Sequence, residues 1–312
     1  MTILRGVVRP ASVIALFGPT GIGKTDVAIA LADRLRAAGE DPVAVAADAL
    51  QVYRGLEVLT GAATPAQRER LEHRLIGFHP VTETFSAGAY AERAHAEIDG
   101  LLAAGRRPLV VGGTGLYLRA ALAELDLRPP PDPAVRARWQ AELEARGARA
   151  LHALLAGRDP VAARAVVPSD GRRIVRALEL LDGGAAPPPA PGAPSQLWTA
   201  ETRHPTLLAG LAMDREALHD RIEARARAMV AAGAIEEVQR AAAAGASPTA
   251  RKALGFEELL RGDVDAMVGA TRRYAKRQLT WMRKLPRARI LDVTGRTALD
   301  VAAELHGMIR ES

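Results

Sequence analysis

The chain has 312 residues, 48% of them apolar, enough for one large domain or two smaller ones with a sizeable core. It contains no cysteine, which excludes a disulfide framework and a thiolate metal site, and no stretch approaches the roughly 20 uninterrupted apolar residues a membrane span needs. The net charge is +6 and unevenly spread: eight Lys or Arg and no acid lie between Arg272 and Arg289, and Arg172, Arg173 and Arg176 form a second group. Clustered cations point to a polyanionic partner, nucleic acid above all. The opening "MTILRGVVRP" lacks the apolar run of a secretory signal, so a cytoplasmic location is expected.

In chain order, "SVIALF" predicts a strand and "GPTGIGKT" (Gly18 to Thr25) a glycine-rich turn. A helix with apolar residues at Val27, Ile29, Ala30 and Leu31 follows. The turn fits G-x-x-x-x-G-K-[ST], a loop that wraps phosphates. Gly18, Gly21 and Gly23 let the backbone curl through Pro19, Thr20 and Ile22 so that its N–H groups face anionic oxygens. Lys24 adds a full charge, and the Thr25 hydroxyl can bind Mg²⁺. The pattern reports phosphate binding, not which phosphate. "DPVAVAAD" predicts a second strand ending at Asp48, and "RRPLVVGGTGLYLRAAL" a third ending at Gly112, with a helix after it. Strands alternating with helices imply a parallel sheet flanked by helices, with ligands beyond the carboxyl ends of its strands. The loop, Asp48 and Thr114 therefore share one rim. A carboxylate there can be a Mg²⁺ ligand, a general base or a helix N-cap.

Two proline-rich punctuations, "LRPPPDP" (127–133) and "GGAAPPPAPGAP" (183–194), bracket a middle region with helical patterns and no convincing strand. We expect a catalytic core from residues 1–127 and 201–312 and a helical insertion over 128–200, with the second punctuation a mobile loop. "LLAGLAMD" predicts a further strand, the chain then reads as helical to about Lys284, and "ARILDV" is a final strand candidate. Within "TRRYAKRQLTWMRKL", Tyr274, Trp281, Met282 and Leu285 form one stripe, expected to be core, while Arg273, Lys276, Arg277, Thr280 and Lys284 share another side. The seven histidines are scattered without metal-site spacing. No segment advertises a self-complementary apolar face, so a monomer is expected.

The segments "GPTGIGKT", "DALQVYRGLEVLTGAAT", "TFSAGAY", "VVGGTGLYLRA", "DPAVRAR", "DGRRIVRALE", "LGFEEL" and "TRRYAKRQLTWMRK" occur in series from about Ile14 to about Lys284. Together they resemble the bacterial tRNA dimethylallyltransferases, the isopentenyl-transfer family that modifies an adenosine beside the anticodon. The resemblance implies a P-loop NTPase-like parallel sheet with an inserted helical domain. It implies that the loop, Gly18 to Thr25, grips the diphosphate of dimethylallyl diphosphate with Mg²⁺ at Thr25, and that no triphosphate is hydrolysed. By the same resemblance, Asp48 is the base that takes a proton from the adenine N6 amine, Thr114 hydrogen-bonds near that amine, and Lys24 neutralises the leaving group. The tRNA-contact positions fall on Asp48, Ala49, Leu50, Gln51, Thr114, Arg136, Arg172, Arg173, Ile174, Val175 and Arg176. Arg273 and Arg277 are expected to help bind the diphosphate.

Departures from the family pattern stand at Ala49, where Ser is usual, and at Leu59 and Ala62, where Gly and Lys are usual. Arg54 is a nearby cation that could stand in for that Lys. Two other readings stay open at this stage: a small-molecule kinase using ATP, whose lid would be the insertion, and a non-catalytic RNA-binding module.

Overall fold

The computed structural model describes residues 12–128, 132–184 and 196–311. It separates into two compact units, one formed by Leu127–Gln196 and the other by the chain on either side of it. Residues 129–131 and 185–195, which carry much of the two proline-rich punctuations and the expected mobile loop, lie outside the described residues.

The flanking unit is built on a parallel sheet of six strands: β1 (Val13–Phe17), β2 (Pro42–Ala46), β3 (His73–Arg74), β4 (Arg107–Gly112), β5 (Thr206–Ala212) and β6 (Arg289–Asp292). Their spatial order is β3-β2-β4-β1-β5-β6. Every residue of β1 and β2 is buried, as expected of strands covered on both faces and read as continuous apolar runs. In register, Ile14 lies between Leu109 and Leu207. The two-residue β3 has no apolar run to announce it; it exists because His73 pairs with Ala44 at the sheet edge. From β1 the chain fills the sheet first to one side, with β2, β3 and β4, and then to the other, with β5 and β6. Such a reversal opens a crevice at the carboxyl ends of the central strands. The Ala87–Ala103 helix seals the sheet near β2: the buried Tyr90 hydroxyl donates to the Ala46 carbonyl at 2.9 Å.

All regular structure among the described residues of the Leu127–Gln196 unit is helical, with helices Pro133–Arg158, Pro160–Arg164 and Gly171–Asp182. Asp132, Asp159 and Asp170 cap the three N-termini by accepting from first-turn N–H groups. Its core gathers Trp139, Leu151, Leu155, Ile174, Val175 and Leu178. Ile174 and Val175, expected among the tRNA contacts, are 0% and 4% exposed, so their side chains hold this unit together and are closed to RNA. Arg136 and Arg176 share the fully buried carboxylate of Glu179, at 2.7 and 3.3 Å. Arg172 and Arg173 are exposed, as Arg136 is despite its pairing, and Arg173 lies 3.5 Å from the Asp170 carboxylate. The amphipathic pattern of Gly171–Asp182 thus divides the expected RNA segment into core, clasp and surface. Among the described residues no helix is long and apolar enough to cross a membrane.

Replacing Ile174 by Ala removes buried methyl groups from this small core. We expect a loss of about 2–5 kcal/mol, read from urea unfolding, and faster hydrogen exchange concentrated in Gly171–Asp182.

Candidate active site

The chain leaves β1 at Phe17 and turns at once into the loop Gly18–Thr25. Gly23 has φ 93° and serves as N-cap of the Lys24–Ala37 helix, a left-handed conformation that disfavours any side chain. A glycine cap supplies no side-chain acceptor to the first-turn N–H groups, so those donors and the positive end of the helix suit an anion. Ile22, 2% exposed, anchors the underside of the loop. Lys24 Nζ donates to the carbonyls of Gly18 and Pro19, at 2.9 and 3.0 Å.

A cavity of about 880 Å³ lies at the carboxyl ends of β1, β2 and β4. Loop residues Thr20, Gly21, Gly23, Lys24 and Thr25 line it together with Asp48, Leu50 and Gln51. Asp48 does not cap a helix; its carboxylate accepts from the Leu50 N–H at 3.0 Å in a local turn. Burial pushes its carboxyl above the ordinary carboxylate range, opposed by that N–H, by the Lys24 charge and by the Thr114 hydroxyl. Burial and the neighbouring Arg225 bring the Lys24 ammonium down to about 7, with Asp48 acting the other way. Thr114, N-cap of the Gly115–Leu122 helix beyond β4, accepts from the Ala49 N–H at 3.4 Å through Oγ1. The Tyr274 hydroxyl lies 3.4 Å from the same atom. Burial raises the Tyr274 phenol to about 12, so it stays neutral at ordinary pH.

Several expected residues land elsewhere. Arg273 and Arg277 are exposed on the Val264–Met282 helix and do not line the cavity; Arg277 lies over the Tyr274 ring at 5.4 Å. The lining cations besides Lys24 are Arg68, Arg221 and Arg225. Arg221 Nε donates to the Gly21 carbonyl at 3.0 Å, and Arg225 Nη2 to the Gly61 carbonyl at 3.2 Å. Both come from the Arg215–Ala231 helix that follows β5. Their spacing of four puts them on one face, which is the signal the sequence offered; the single acid and the third arginine in "RIEARAR" hid them among ordinary surface charge. Arg54 does not replace the Lys missing at Ala62: its guanidinium donates to the Gly77 and Phe78 carbonyls, outside the cavity lining. Leu59 and Ala62 do line it, beside Val58 and Met229, and make one stretch of the wall apolar. Gln51 Nε2 donates weakly to the Thr60 and Gly61 carbonyls, each at 3.4 Å. Within the expected core stripe, Met282 and Leu285 are buried, but Tyr274 faces the cavity. The polar Gln278, unmarked by the sequence reading, takes an interior position at 4% exposed.

No group of three or more His, Asp or Glu able to hold a metal occurs among the described residues. A divalent cation here would depend on Thr25 and on phosphate oxygens, which matches the way Mg²⁺ is held beside bound phosphates.

A glycine-rich loop of the phosphate-binding pattern on a parallel sheet, sharing one cavity with a half-buried carboxylate, has the form of a group-transfer site. Comparison with known proteins narrows the class. Residues 51–285 match the model of the IPP transferase family. The chain is 42% identical over 306 residues to the tRNA dimethylallyltransferase of Thermobifida fusca, covering 95% of this chain and 94% of that one. It is 42% identical over 300 residues to the enzyme of the same name from Streptomyces coelicolor, covering 92% and 93%. The crystal structure of the full-length tRNA isopentenylpyrophosphate transferase from Bacillus halodurans superposes with a TM-score of 0.66 at 30% identity, covering 97% and 98%. The chain belongs to the IPP transferase family.

With its pKa brought to about 7, Lys24 loses its charge as the pH rises through neutrality. Affinity for inorganic diphosphate, measured by calorimetry, should therefore fall above about pH 7 more steeply than in a Lys24→Arg variant, whose cation does not titrate.

Proposed function

We propose that the chain transfers a dimethylallyl group from dimethylallyl diphosphate to N6 of the adenosine immediately 3′ of the anticodon in tRNA, releasing diphosphate. The observation that carries this reading is the placement of Asp48 and the phosphate loop on the walls of one cavity. The activity follows the names of the relatives, which match over nearly the whole chain. The donor and the roles of single residues rest on the chemistry of the cavity. A kinase reading is not favoured, because those full-length relatives carry the name of a prenyl-transfer enzyme.

An allylic C–O bond ionises readily when the departing diphosphate is neutralised. Loop N–H groups, Lys24, Arg221 and Arg225 bring positive charge to the place where negative charge develops. Mg²⁺ held by the Thr25 hydroxyl and diphosphate oxygens would add Lewis-acid stabilisation of the leaving group. The acceptor amine is a poor nucleophile, since its lone pair is delocalised into the adenine ring. Asp48 takes its proton as the C–N bond forms, and Thr114 orients that carboxylate by donating to it. The base must leave its stack to reach the cavity, which is inexpensive in a single-stranded anticodon loop. The exposed Arg172 and Arg173 suit phosphate contacts on the tRNA, and Arg136, though paired with Glu179, also keeps an exposed side chain. We take the enzyme to be monomeric and cytoplasmic, in keeping with its substrate.

The direct test is incubation with an anticodon stem-loop and dimethylallyl diphosphate, with mass spectrometry of the digested nucleosides. One C5H8 unit gained on the target adenosine supports the reading; ADP released from added ATP, with no such gain, overturns it. Asp48→Asn should lower kcat by about 10²- to 10⁴-fold while leaving stem-loop and diphosphate affinity within a few-fold. Because the base works ionised, wild-type activity should fall as the pH drops through the raised Asp48 pKa, and that acid limb should vanish in the variant. Arg172→Ala combined with Arg173→Ala should weaken tRNA binding and reduce the slope of log K against log salt by about 1–2.

A further inference from the structure

The Val264–Met282 helix carries one buried polar side chain among its apolar contacts, Gln278. Its Oε1 accepts from the Thr20 N–H at 2.9 Å, and its Nε2 donates to the Gly113 carbonyl at 2.7 Å. A backbone N–H can only donate and a backbone carbonyl can only accept, so the two partners leave the amide one orientation. Thr20 lies in the middle of the phosphate loop, and Gly113 directly precedes Thr114. One side chain therefore ties the loop beyond β1 to the strand end that carries the hydroxyl bonded to Asp48.

Neighbouring residues are built around this contact. A Cβ at position 113 would come within 2.3 Å of Gln278 Nε2, so glycine there is what lets the amide reach the backbone. A Cβ at position 115 would fall 2.0 Å from the Trp281 ring, one turn further along the same helix. One turn in the other direction, the Tyr274 hydroxyl approaches Thr114. The helix thus meets the segment Gly113–Gly115 at three successive levels, and only the central one also grips the loop. A neutral amide does this without adding a charge beside the diphosphate.

We propose that Gln278 is a positioning residue: it sets the separation between the diphosphate loop and the Asp48–Thr114 pair, and so between leaving group and nucleophile. Positioning of this kind acts on the rate at which bound reactants react, and a misplacement of about 1 Å can cost about 10²-fold. The inference rests on the transfer reading above, but the clasp itself has a readout that does not.

The test uses Gln278→Met, which keeps length and burial but loses both hydrogen bonds. Should that variant not fold, Gln278→Asn replaces it, keeping the amide but one methylene too short to span both partners. We expect inorganic diphosphate and stem-loop affinities within about threefold of wild type and a single-turnover rate lowered by about 10–100-fold. In a double-mutant cycle with Thr114→Val, the second substitution should cost much less than the first, since both disturb one assembly. A rate unchanged by the substitution, losses that simply multiply in the cycle, or a defect confined to diphosphate affinity would each overturn the proposal. The last would make Gln278 a substrate contact instead. Independently of transfer, exchange of the Thr20 amide hydrogen should be slow in wild type and accelerated in the variant; equal exchange would also overturn it. Wild-type protein that alkylates no stem-loop would count against the transfer reading, while the exchange measurement would still decide the clasp.

Discussion

Everything in the site depends on holding a carboxylate and a cluster of cations together on one cavity wall with part of their solvent removed. Burial acts on the two partners in opposite directions, raising Asp48 and bringing Lys24 to about 7, and each charge partly relieves the other. That tension is useful for allylic transfer. A carboxylate with a raised pKa is a stronger base, and a cation poorly served by solvent gains most when a diphosphate arrives. In bulk water the same groups would be screened and worth far less.

The sheet supplies this arrangement by topology. Three parallel strands, β1, β2 and β4, end side by side, and each releases one component: the loop, Asp48 and Thr114. No two of these are close in sequence. The Arg215–Ala231 and Val264–Met282 helices then close the assembly from above, through Arg221 on the Gly21 carbonyl and Gln278 on the Thr20 N–H. The loop is thereby held from outside as well as by its own glycines.

The Leu127–Gln196 unit shows a different economy of charge. A helix such as Gly171–Asp182 has one face for its own core and one for solvent, and Glu179, though acidic, sits on the buried side. Its two arginine partners satisfy it, and Arg136 does so with more than half of its side chain still exposed. Of the three clustered arginines, Arg172 and Arg173 remain on the surface, Arg173 beside Asp170 at 3.5 Å.

The sequence by itself determined the glycine-rich turn, five of the six strands, the helical middle and the placing of Lys24, Asp48 and Thr114 just beyond strand ends. Each of these is a local matter: glycine spacing, a run of β-branched residues, a polar residue at a strand end. Arg221, Arg225, Gln278 and the inward turn of Tyr274 were decided only by the tertiary structure. On an isolated helix nothing distinguishes an arginine aimed at a loop carbonyl from one aimed at water, or a buried glutamine from an exposed one. The difference arises when distant segments meet and their backbone N–H and C=O groups need partners. For the same reason Arg273 and Arg277, the most conspicuous cations in the text of the chain, lie outside the cavity, while Arg221 and Arg225 join Lys24 and Arg68 in its wall from a helix that looked ordinary.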